Sequence, residues 1–145
     1  MANVYDINAN KLIEKTAEEL KKLVKAPEYT MYVKTGAGNE RPPADKEWYY
    51  KRLAGVLRSV YLRGPLGVNR LRTKYGSKRN MGMDGKSVKK ASGKILRNCL
   101  QQLEQLEFIK KGQKGLHKGR IITDKGKSFL DKIAKWADIN LGQKN

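Results

Sequence analysis

Residues 48–63, Trp48 to Arg63, read WYYKRLAGVLRSVYLR, and this stretch decides the fold. Set at about 100° per residue from Lys46 onward, its side chains sort onto two faces. Tyr49, Tyr50, Leu53, Ala54, Val56, Leu57, Val60 and Tyr61 share an arc of roughly 160°, wider than the stripe of a helix with a single neighbour. So broad an apolar face predicts a central helix with partners on two sides. The opposite face collects Lys51, Arg52, Gly55, Arg58, Ser59 and Arg63, with Trp48 and Leu62 among them. Cations around small residues are either solvated surface or a place where a phosphate backbone comes close. The rest of the chain decides between the two.

Upstream, residues 8–25 repeat apolar positions at Leu12, Ile13, Thr16, Ala17, Leu20, Leu23 and Val24, the spacing of an amphipathic helix. Asn8 or Asn10 is its expected N-cap, and Pro27 ends it. Tyr29–Lys34 is β-prone and short, and residues 35–45 read as loop. Asp45 is the expected N-cap of the central helix.

Downstream, Gly64 is expected to supply a left-handed cap and Pro65 to stop the helix. A short helix follows, with Val68, Leu71 and Tyr75 inward and Gly76 at its end. Residues 77–87 lack periodicity and read as a flexible basic loop, the stretch to residue 89 ordering on a polyanion. Residues 90–107 form a second amphipathic helix, capped at Ser92, with Ile95, Leu96, Cys99, Leu100, Leu103 and Leu106 as its stripe. Phe108–Lys111 and Arg120–Thr123 read as two strands around a Gly- and Lys-rich tip. Residues 124–138 make a last helix, capped at Thr123, with Phe129, Leu130, Ile133, Ala134, Trp136 and Ala137 inward; residues 140–145 are expected to fray.

A chain of 145 residues suits one domain without staples. Its single cysteine, Cys99, makes no internal disulfide and is expected in the core. No apolar run is long enough for a membrane span, and the start reads as the approach to a helix with no leader, which places the chain in the cytosol. Charge is the dominant signal. Lys and Arg number 32 against 14 Asp and Glu, a net +18. Residues 1–50 hold 8 of each sign, so residues 51–145 carry 24 less 6, the whole excess. An asymmetry of this kind predicts a face for a polyanion.

Catalytic and cofactor readings fail on particular residues. Gly36 and Gly38 begin a G-x-G-x-x-G pattern, but Arg41 stands at the third glycine. Gly85-Lys86-Ser87 resembles the end of a P-loop whose first glycine is Asn80 here. One histidine and one cysteine are too few for zinc. The sparse acids Asp84, Glu104, Glu107, Asp124, Asp131 and Asp138 show no pairing for acid and base work. No cofactor, metal or enzymatic activity is expected.

Taken together, residues 46–123 give helix, short helix, basic loop, helix and hairpin, the order of a winged helix-turn-helix. The fold predicted is mainly α: a winged-helix-like bundle around the central helix, with a small β-hairpin wing and an extra N-terminal helix, in one domain spanning 1–145. The candidate RNA-binding residues are Lys51, Arg52, Arg58 and Arg63 on the central helix and Arg70, Arg72 and Lys74 on the short one. Lys78, Arg79, Lys86, Lys89 and Lys90 follow from the loop, Lys94 and Arg97 from the next helix, and Lys114, His117, Lys118 and Arg120 from the wing. From residue 70 to 97 ten cations face a single acid, Asp84. Tyr49, Tyr50 and Tyr61 are expected in the core, and Trp48 against the N-terminal helix.

The stretches RPPADKEWYYKRLA, YLRGPLGV leading to KYG, SGKILRNCLQQLE and GRIITDKG carry a resemblance over nearly the whole chain. The chain resembles the small-subunit ribosomal protein family S19e, shared by archaea and eukaryotes, and its composition leans to the archaeal members. The resemblance implies a winged-helix-like protein of the small subunit's head that binds ribosomal RNA, beside other ribosomal proteins of the cytoplasmic ribosome. It implies a part in small-subunit assembly, as for eukaryotic members, and basic positions of importance at Arg52 and Arg58. With no leftover apolar helix for a dimer interface, the free chain is expected to be a monomer. A winged-helix DNA-binding regulator is the alternative. It would want a dimer interface and base-reading side chains, where this chain offers mainly lysines.

Overall fold

The structure is a computed structural model that describes residues 3–142, with side chains described through Ala137. Helix α1 (Ala9–Leu23) starts at Asn8, whose side-chain oxygen accepts the Asn10 N–H at 3.0 Å. Leu12, Thr16, Ala17 and Leu20 are its buried stripe. The Thr16 hydroxyl is satisfied by donating to the Leu12 carbonyl at 2.6 Å. Glu28–Met31 is a 3₁₀ turn, where Tyr29–Lys34 had suggested a strand. β-prone residues form a strand only where a partner ladder offers itself. Here the Thr30 N–H and hydroxyl both turn back to the Pro27 carbonyl, at 3.1 and 2.7 Å.

Helix α2 (Trp48–Arg63) is the central rod, with α1 and three later elements packed on it. Its N-cap is Glu47, not Asp45; the Asp45 carboxylate caps the preceding turn by accepting the Glu47 N–H at 2.9 Å. Burial runs further round α2 than its apolar arc. Gly55 and Ser59, on the basic face, are buried too. The cover is Tyr75: a Cβ on Gly55 would stand 2.9 Å from its hydroxyl, so glycine lets the hydroxyl end of that ring come close to the helix. Trp48 is half-buried and donates its indole N–H to the Thr30 carbonyl at 3.2 Å, so it packs on the segment after α1. Tyr49 is fully buried, whereas Tyr50 and Tyr61 are half-buried and send their hydroxyls to the Ala26 N–H and to Asn3.

Gly64 is not left-handed; at φ −53° and ψ 147° it is extended. Its glycine is demanded by space, since a Cβ would lie 2.6 Å from the Val60 carbonyl oxygen. Leu66 then exchanges two backbone hydrogen bonds with Arg120, at 3.1 and 2.9 Å, adding a one-residue third rung to the wing. Helix α3 (Val68–Lys74) follows, with Leu71 buried.

The stretch expected to be a flexible loop is a second hairpin. Strands β1 (Ser77–Asn80) and β2 (Lys86–Lys89) pair antiparallel, Ser77 opposite Lys89 and Asn80 opposite Lys86. Gly82 and Gly85, at φ 74° and 76°, turn the chain between them. Neither strand has a buried face, so no alternation marks it in the sequence.

Helix α4 (Gly93–Gln105) begins after Ser92, whose N–H donates to Thr35 at 2.9 Å while its side chain makes no cap. Ile95, Leu96, Cys99, Leu100 and Leu103 are buried. Strands β3 (Ile109–Lys114) and β4 (His117–Ile122) form the wing, Lys114 opposite His117 and Ile109 opposite Ile122. Helix α5 (Asp124–Gly142) is capped by Thr123, whose hydroxyl oxygen accepts the Gly126 N–H at 3.2 Å. Leu130, Ile133, Ala134 and Ala137 are buried, but Trp136 is 70% exposed. It lies about 110° from the centre of that stripe at 3.6 residues per turn, beyond the packed arc. Of the tail expected to fray, residues 140–142 belong to α5 and residues 143–145 lie outside the described ones. Among the described residues no helix is long and apolar enough to cross a membrane. The order of elements and the hairpin wing give the mainly α, winged-helix-like fold.

Cys99 is fully buried, and that burial pushes its thiol up to about 12. The thiolate is the reactive form, so the native protein is expected to resist a thiol reagent at pH 8 and to label fully once unfolded in guanidinium. Rapid labelling of the native state would show the core opening around α4.

Candidate nucleic-acid interface

The basic face of α2 is half-buried, not fully wet. The Arg52 guanidinium carbon stands 4.1 Å over the Tyr75 ring, a cation–π contact, and burial pulls the group below its ordinary pKa. Arg58 is half-buried, and among the described residues its Nε finds no hydrogen-bond partner. A buried donor left unmatched is unfavourable until an acceptor reaches it. Lys74 donates to the Ser59 hydroxyl, which itself donates to the Gly55 carbonyl at 2.6 Å. Burial first, and the charges of Arg63 and Arg58 second, pull Lys74 below its ordinary value. Four cations thus crowd together, and among the described residues none of them is in an ion pair. Lys51 differs: it pairs with Asp45 at 2.5 Å, each about half exposed.

Between the end of α2 and α3 lies an open hollow of about 490 Å³ lined by Arg63, Leu66, Asn69, Arg70, Leu71, Thr73 and Lys74. Asn69 and Thr73 line this hollow and are not among the candidates read from the sequence. Arg72 also has a structural duty, donating from Nε to the Ala91 carbonyl at 2.9 Å while the Ala91 N–H returns to the Arg72 carbonyl at 3.0 Å. It joins α3 to the start of α4. Arg97 comes to the same place, its Nη1 and the Arg72 Cδ both within 3.4 Å of where a Gly93 Cβ would be.

The hairpin β1–β2 carries Lys78, Arg79 and Lys86 exposed and Lys89 half-buried, with Lys90 exposed just beyond. Helix α4 is covered along one flank. Asn98 donates to the Tyr29 hydroxyl at 2.6 Å, Gln102 donates to the Lys25 carbonyl at 3.2 Å, and Lys94 stands 4.9 Å over the Tyr29 ring. The segment after α1 therefore covers one flank, leaving Lys94, Arg97, Gln101 and Gln105 exposed.

At the wing, Lys114, His117 and Lys118 are exposed around the tip. Arg120 is not free. Its Nε donates to Glu104 at 2.9 Å, with the pair about three-quarters buried, so it ties the wing to α4. Lys111, its partner in the register and not among the candidate RNA-binding residues, lines a second open hollow with Lys118 and Gln113. No alternation in the strand singles out Lys111, since Lys110 and Lys111 are both exposed. Among the described residues no group of His, Cys, Asp or Glu could hold a metal ion.

Cations stand exposed on α3, α4 and both hairpins, and this order of elements accompanies a match over residues 3–138 to the family model described as ribosomal protein S19e. The chain belongs to the ribosomal protein S19e family. Relatives align along almost all of it. A small ribosomal subunit protein eS19G of Ascaris suum is 37% identical over 134 residues, 91% of this chain and 89% of that one. The eS19 of Aeropyrum pernix is 37% identical over 139 residues, 93% and 89% of the two chains. That of Emericella nidulans is 43% identical over 135 residues, 91% and 89%. S19e membership makes the chain a ribosomal, non-enzymatic protein. It replaces the reading as a DNA-binding regulator.

Proposed function

We propose that this chain binds ribosomal RNA as a single-domain structural constituent of the small ribosomal subunit, in the cytoplasm, and supports assembly of that subunit. The observation that carries the reading is a division of charge. Among the described residues, Lys15, Lys21, Lys22 and Lys51, in or beside the neutral N-terminal part, are paired with carboxylates. Among the same described residues, none of the ten cations from Arg70 to Arg97 is. Unpaired like charges held on a rigid frame repel one another, and a phosphate backbone turns that repulsion into attraction. The neutral α1 side is left for neighbouring ribosomal proteins, and the free protein is a monomer.

Sedimentation of the tagged chain through a sucrose gradient tests the assignment. It is expected in small-subunit fractions, and a chain confined to the free pool or the nucleoid would overturn it. Arg52→Ala and Arg58→Ala separate contact from packing. Both are expected to weaken binding to small-subunit RNA, and Arg52→Ala also to cost about 0.5–2 kcal/mol of stability through the lost Tyr75 contact. Melting curves and filter binding on the same variants check this. Unchanged affinity with a large drop in melting temperature would make both arginines purely structural.

A further inference from the structure

The hairpin β1–β2 carries an unexpected set of side chains. Met83 at its turn is fully exposed, Val88 is 67% exposed and Met81 46%. All three sit on an element whose remaining long side chains are the cations Lys78, Arg79, Lys86 and Lys89. Its base is fixed. The Ser77 hydroxyl donates to the Asn39 side chain at 3.0 Å and Arg79 donates to the Ala37 carbonyl at 3.2 Å. A Cβ on Gly76 would stand 2.7 Å from the Lys89 carbonyl oxygen, so the strands close tightly on α3. An anchored arm thus holds an apolar tip out in solvent with cations behind it.

We propose that this arm is an RNA wedge: Met81 and Met83 insert beside an unpaired or unstacked base while Lys78, Arg79 and Lys86 hold the flanking phosphates. The inference rests on the RNA-binding reading and names the kind of RNA the arm takes. Charge complementarity selects the occupant, since the arm's only acid is Asp84. A regular A-form duplex is excluded by shape, because its deep, narrow major groove admits no two-stranded ribbon. A bulge or internal loop opens that groove and exposes base faces, and apolar side chains such as methionine are the type that wedge between base steps.

The test uses the full chain and two RNAs, a paired duplex and the same duplex with a one-nucleotide bulge, each with 2-aminopurine beside the bulge position. The native chain is expected to prefer the bulged RNA and to raise its 2-aminopurine fluorescence. Met81→Ser with Met83→Ser is expected to lower affinity for the bulged RNA about tenfold by removing buried thioether surface. Duplex affinity, salt slope and melting temperature should stay as they are. Lys86→Gln should instead reduce the salt slope on both RNAs by about one. Equal loss on both RNAs, or no loss on either, overturns the wedge and leaves the RNA-binding reading in place. The second outcome is that of an arm that meets protein. Failure of the native chain to bind any RNA overturns both.

Discussion

Leu57→Ala is expected to destabilise the protein by about 2–5 kcal/mol, the range for a buried leucine whose cavity the surroundings only partly refill. Leu57 is fully buried in α2, and α1, α4, α5 and β4 all pack on that helix. Collapse around the missing methyls would have to move several elements at once, which places the loss high in the range. A domain of this size has about 5–15 kcal/mol in total, so a third or more of the stability is at stake. Urea unfolding with an unchanged slope measures it directly. A loss below about 1 kcal/mol, inside the range of exposed sites, would mean that α2 is not the element on which the core depends.

Affinity for small-subunit RNA is expected to fall by about 10³–10⁵ between 50 and 200 mM salt, as for proteins that neutralise 6–10 phosphates. The structure narrows which residues set that slope. Arg120 and Lys51 are held by Glu104 and Asp45, so neutralising them should change the slope little. Arg70 and Lys90 are exposed with no carboxylate on them among the described residues. Each should contribute about one unit when replaced by Gln. Filter binding across the salt range checks this, and a flat response from the native chain would remove the polyanion reading altogether.

How much was legible beforehand differs by element. Helices α1 and α4 could be read because each buries one stripe, and burial at a 3.6-residue period leaves its mark on residue choice; α2 could be read by its broad apolar arc, although its burial runs beyond that arc. Leu12 to Leu20 and Ile95 to Leu103 are such stripes. The hairpin β1–β2 left no such mark because neither of its faces is buried; its order comes from a ladder and from side chains that reach residues 37 and 39. Tyr29–Lys34 erred in the other direction, since strand-forming residues without a neighbouring strand satisfied themselves locally. Trp136 shows that an apolar residue at the edge of a stripe need not lie under it.

The site divides in the same way. That residues 51–145 hold the entire excess of positive charge is a property of the chain alone, because composition is local and additive. So is the presence of a broad apolar rod at residues 48–63. Which of those cations stay available was a matter for the tertiary structure. Lys51 and Arg120 meet carboxylates 6 and 16 positions away, and Arg52 meets a ring 23 positions on. Encounters between distant segments depend on how elements pack, and no periodicity along the chain records them.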